Sequence, residues 1–382
     1  MSDGALCLPY PELLPANRHR LRAAIADGPH TSAPEPLDSV TSGGRVDPAS
    51  VDYQEVDYQE HDRYFQIRRT RQTPESAFLH ALAIAHLAVR ENVDENGLSQ
   101  LSDGYIAQLW LGLESLYRYA GHDIGNQPTG VFDQPVERPL RHPQSDGTDP
   151  DDSDAAADRW LIGHQFFFTL MQGAITGLNC FLGASADGDE AEARAALRVA
   201  TAFMRSSAAA FRFTSDFSPV DYERLIRPAM APPAVRAGFS GLQTRDHAHL
   251  MALFTEVRAM RSKIGPARLG SAFDEFVEAT VEAYEAHQLI CARFGGDVLP
   301  SLRMAARSAG RSTSPGVQVV RQMMRARLFA LHGSHRDRTD GGGTPGGPEC
   351  GTPDTGPGGH GGGTPGADAG GQVDQPAGGD RC

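Results

Sequence analysis

His287 and Cys291 stand a single helical turn apart and form the strongest chemical signal in the chain. They lie in FDEFVEATVEAYEAHQLICARFGG, residues 273–296, where Phe273, Phe276, Val277, Thr280, Tyr284, His287 and Cys291 recur at steps of three or four. That spacing gathers all seven on one helix face. An imidazole there suits haem iron as a proximal ligand, and a thiol one turn along reaches the porphyrin edge, where it can add to a vinyl group as a thioether. On spacing alone two other readings stay open. One is a buried histidine bonded to a backbone carbonyl, beside a cysteine acting as a small apolar side chain. The other is zinc, with His247 and His249 joining His287 and Cys291 but without the usual CxxC pairing.

A second candidate, His164, lies in WLIGHQFFFTLMQG, residues 160–173. Gly173 and Gly177 follow it on the same helix, and their missing side chains admit another backbone or a flat cofactor. Phe166, Phe167 and Phe168 cannot all face one way; one or two, with Phe167 and Phe168 the candidates, wall an aromatic pocket while the rest join the core. An amino-acid substrate also needs a partner for its carboxylate. Arg212, Arg227, Arg245 and Arg303 are available, and Arg245 is the one we single out.

Helices must position these groups. Apolar residues recur at helical spacing from Phe78 through Val89, after a Thr73-Pro74 start signal, and again over about 101–119, 156–182, 189–212, 220–228, 241–263, 270–294 and 316–332. No run of alternating β-branched residues stands out, so the expected fold is all-α: a helical bundle with its cofactor site on inward faces. Residues 134–154 are acidic, contain proline and lack periodicity, which predicts a loop. The expected organisation is a largely irregular segment over 1–72, a helical catalytic domain over 73–334 and a Gly/Pro-rich tail over 335–382. That tail cannot bury enough surface to offset chain entropy, and disorder is expected in both terminal segments.

The formal net charge of −13 and the absence of a basic stripe argue against nucleic acid and for a small-molecule partner. No unbroken apolar run approaches the roughly 20 residues of a membrane span, which predicts a cytoplasmic protein without a membrane partner. Five cysteines scattered over 382 residues do not form a disulfide framework. Homo-oligomerisation stays open.

Three segments in order carry a resemblance. HQLICARFGGDVLPSLR, residues 287–303, resembles the proximal helix of tryptophan 2,3-dioxygenases and related haem-dependent aromatic oxygenases. WLIGHQFFFTLMQG is similar to their distal helix, and FSPVDYERLIRPAMAPPAVRAGFSGLQTRDH, residues 217–247, to the acidic-aromatic stretch over the haem. The resemblance implies a tryptophan 2,3-dioxygenase-like fold, His287 on the iron and His164 in the distal place. Where dioxygenases hold the substrate carboxylate with an arginine, this register has Ala248. The histidine, long spacer and HxxxC pattern instead resembles the haem-dependent tyrosine hydroxylase branch, typified by the 3-methyl-L-tyrosine hydroxylase of saframycin-type pathways. It implies a thioether at Cys291 and a second axial histidine at His247 or His249. Helix phase favours His247: Ser240, Thr244, His247 and Met251 share a stripe, whereas His249 points roughly 180° from Ser240.

The expected activity is hydroxylation of 3-methyl-L-tyrosine or L-tyrosine to a catechol in natural-product biosynthesis, using H2O2, or O2 with a reductant. The alternatives are dioxygenase-type indole cleavage and a non-catalytic bis-histidine haem protein.

Overall fold

The computed structural model describes residues 5–27, 58–96, 101–122, 152–239, 243–295 and 315–332. The described residues all belong to one compact unit, Met1–Asp337. The expected loop, residue 240 of the histidine stripe and the Gly/Pro-rich tail lie outside the described residues, apart from the end of the loop, which is already helical at Asp152.

Nine helices of seven residues or more form the described body: α1 Arg18–Ala26, α2 Tyr58–Tyr64, α3 Pro74–Asn96, α4 Asp103–Ala120, α5 Asp152–Ala186, α6 Glu190–Thr214, α7 Arg245–Ile264, α8 Ala272–Gly295 and α9 Gly316–His332. Between α6 and α7 runs a short helical stretch whose middle, Tyr222–Ile226, is π-helical. The described residues are all-α apart from one parallel pair, β1 Leu6–Pro9 with β2 Ile67–Thr70, in which Leu6 faces Ile67. Four-residue strands are too short to show a period-2 pattern, so this pair is invisible to periodicity. Part of the expected irregular N-terminal segment is therefore structured, and Leu6, Leu8, Leu21 and Phe65 are core residues.

The first turns are set by side chains. Asn17, Asp189 and Thr244 each accept a bond from a backbone N–H three residues on, capping α1, α6 and α7. Gly121 closes α4 in the left-handed conformation.

The α5–α6 pair is the spine. Phe203 of α6 fills the gap left by Gly173, where a Cβ would sit 2.3 Å from the ring. Gly177 lets the backbone of Ala200 approach, a Cβ there meeting its nitrogen at 2.6 Å. Both glycines thus serve helix packing. By length and composition α5 is apolar enough to cross a membrane, contrary to the expectation that no segment is, yet most of it is buried within the protein. Thr169, Gln165 and Gln172 interrupt its apolar run and hide the span in a simple reading.

Candidate active site

The stripe on α8 is buried at Phe273, Phe276, Thr280 and Tyr284 and half-buried at Val277, His287 and Cys291. Its C-terminal half lines an apolar cleft between four helices. Helix α5 contributes Phe167 and Met171 to the wall, α6 Met204, Ser207 and Phe211, α7 His247, Leu250, Met251 and Phe254, and α8 Ala283, Tyr284 and His287. The lining is apolar except for two imidazoles, one phenol and one hydroxyl.

His287 and His247 therefore face one cleft from different helices. Burial pushes His287 down to about 4, so the ring is neutral near pH 7 and its lone pair is available. Its Nδ1 is buried without a hydrogen-bond partner among the described residues. Phe211 stacks on its face, and Phe167 packs on Phe211 with centroids 4.6 Å apart. His247 is buried in the first turn of α7, where its backbone N–H donates to Thr244 Oγ1 at 3.2 Å. His249, on the same helix, does not line the cleft.

His164 sits behind this wall. Its ring stacks on Phe65 at 4.5 Å and meets Trp160 at 4.0 Å. Nδ1 lies 2.8 Å from the Trp160 carbonyl, which can only accept, so Nδ1 carries the proton and Nε2 keeps its lone pair. Burial, with a smaller contribution from His287 nearby, lowers His164 to about 4.

Cys291 lies outside the cleft lining. Its Sγ is 3.8 Å from where a Cβ on Gly316 would stand, at the start of α9, and burial pushes its thiol up to about 11. The end of α8 is pinned beside it: Arg293 donates to the carbonyls of Ser215 and Phe217 at 3.1 and 2.7 Å, and Phe294 stacks on Phe217 and Tyr222.

The remaining candidates lie elsewhere. Arg245 stacks against Tyr10 and Tyr58, at 5.2 and 5.0 Å from their ring centres, and does not line the cleft. Phe168 packs against Phe65 in the core. Ala248 is exposed and does not line the cleft. Phe65, Trp160 and Phe211, which orient the two histidines, carry no recognisable spacing signal toward them, except that Trp160 and His164 are four apart on one helix.

Among the described residues no three His, Cys, Asp or Glu side chains converge as a metal cage. A four-ligand zinc site is thus unsupported. Haem makes a smaller demand, because the porphyrin supplies four of the iron's ligands and the protein only one or two. Two imidazoles in an apolar, aromatic-walled cleft, one with an orphaned buried nitrogen, fit that group.

The SfmD 3-methyl-L-tyrosine peroxygenase family matches residues 6–273. The 3-methyl-L-tyrosine peroxygenase of Streptomyces lavendulae is 31% identical over 277 residues, 71% of this chain and 70% of the relative. Among solved structures, that of reduced SfmD, obtained by soaking with sodium hydrosulfite, superposes with a TM-score of 0.51 at 24% identity, covering 75% of this chain and 98% of the other. The family match ends before His287 and Cys291.

Proposed function

Because this chain belongs to the SfmD 3-methyl-L-tyrosine peroxygenase family, we propose that it hydroxylates the ring of 3-methyl-L-tyrosine, or of tyrosine itself, to a catechol with peroxide as oxidant. The observation that carries the proposal is the pair His287 and His247 in one aromatic-walled cleft, with His287 held neutral by burial.

In this reading His287 and His247 would hold a haem in the cleft, and Cys291 would tether it through a thioether. Bound there, haem supplies iron that activates peroxide. The chain's own work is positioning and proton handling. Phe211 fixes the plane of the His287 ring. Phe167 offers an apolar face to an aromatic substrate, and the surrounding methionines exclude water from it. His164, which does not line the cleft, would act as a proton relay, with Nδ1 protonated and Nε2 as the accepting nitrogen. Tyr284, whose phenol burial keeps protonated, is a donor on the cleft wall.

The test is incubation of haem-loaded protein with peroxide and either 3-methyl-L-tyrosine or L-tryptophan, followed by mass spectrometry. Gain of one oxygen on the tyrosine derivative supports the reading. Gain of two oxygens on tryptophan, with the tyrosine derivative untouched, overturns it.

A further inference from the structure

Behind the cleft, where α7 begins, the structure buries a cluster of charges that hydroxylation does not use. Arg69, on β2, grips Asp62 through Nε and Nη2 at 3.1 and 2.8 Å, and Asp246 through Nη1 at 3.1 Å and through Nη2. Gln172 of α5 donates from Nε2 to Asp246 Oδ1 at 2.8 Å. Arg69 and Gln172 also share the Pro9 carbonyl, at 3.3 and 2.9 Å. Arg69, Gln172 and Asp246 are all buried.

Asp246 immediately precedes His247, in the turn that Thr244 caps. Gln172 immediately follows Met171, which lines the cleft. The strand pair, α5 and the first turn of α7 are therefore tied at one point next to the cleft histidine. Stability is a poor reason for such a cluster, since desolvation offsets attraction in buried ion pairs and apolar packing serves as well. A planar guanidinium bonded twice to a carboxylate does something apolar packing cannot: it fixes an angle as well as a distance.

We propose that Asp246, held by Arg69 and Gln172, is a positioning residue that sets the first turn of α7 and with it the presentation of His247 to the cleft that His287 also lines. The inference rests on the haem reading above.

Asp246→Leu removes the anchor while leaving Arg69 paired with Asp62, and Asp246→Asn keeps Oδ1 as an acceptor for Arg69 and Gln172. Haem-loaded full-length variants are compared with wild type and with His247→Ala by ferric absorption and electron paramagnetic resonance, with circular dichroism to check the fold. His247→Ala is expected to turn a low-spin spectrum high-spin. Asp246→Leu is expected to shift most of the signal the same way with unchanged dichroism, while Asp246→Asn stays low-spin. A low-spin Asp246→Leu beside a high-spin His247→Ala overturns the positioning role alone. An unchanged His247→Ala overturns the ligand reading and this inference with it. If Asp246→Leu does not fold, Arg69→Lys takes its place, keeping the charge but losing the fork; the same high-spin shift is expected, and an unchanged spectrum overturns the proposal.

Discussion

Phe211 lies flat against the imidazole of His287, ring centres 4.8 Å apart and planes 9° from parallel. The contact leaves the ring little freedom to rotate, so whatever His287 holds is held in one plane. Phe211→Leu keeps the apolar volume but loses the stack, which is worth about 1 kcal/mol. Non-covalent haem affinity, read in a Cys291→Ala background, is expected to fall roughly fivefold. Unchanged affinity would show that the stack does not orient His287.

His164 is close enough to His287 that a charge on one opposes a charge on the other. If His164 moves protons rather than holding the cofactor, His164→Gln should retain a normal Soret band while turnover drops by about two orders of magnitude, the usual effect of losing a general base. Loss of haem in step with activity would assign it a structural role instead.

Buried histidines make the haem-free chain acid-sensitive. His86, His164 and His287 are each lowered to about 4 from an ordinary 6.5. Between those values the unfolded chain binds protons that the folded chain excludes, so unfolding is favoured as pH falls. Stability is complete above about pH 6.5 and is lost progressively toward pH 4, by about 2 kcal/mol per histidine at pH ~5. Urea denaturation of apoprotein at several pH values measures this, and a midpoint that does not move contradicts it.

Gly177→Ala separates packing from propensity. Alanine is the better helix former by up to about 1 kcal/mol, but its Cβ would stand 2.6 Å from the backbone nitrogen of Ala200. Crowding of that kind costs about 1–3 kcal/mol and outweighs the gain. A lower urea midpoint is expected; a higher one would mean that α5 and α6 part easily at this point.

The helices and the His287 face were legible because their apolar residues repeat with the helical period. The same periodicity placed His247 and His249 on different sides of α7, and only His247 lines the cleft. What could not be read depends on contacts distant in sequence. Asp246 and Arg69 are 177 residues apart, and no local pattern pairs them. The stack of Phe211 on His287 likewise joins α6 and α8, which no local pattern in the sequence pairs. Arg245 illustrates the limit: residue type suggested a carboxylate partner, but the fold lays its guanidinium on Tyr10 and Tyr58.

The central claim, that His287 and Cys291 hold the cofactor together, is tested most directly by acid-acetone treatment of haem-loaded protein followed by intact mass measurement. Wild type should keep one haem on the polypeptide, Cys291→Ala should show a Soret band beforehand yet release its haem entirely, and His287→Ala should lose the iron-ligand signature. Haem still attached to Cys291→Ala, or a wild-type protein that takes up no haem, would contradict the account.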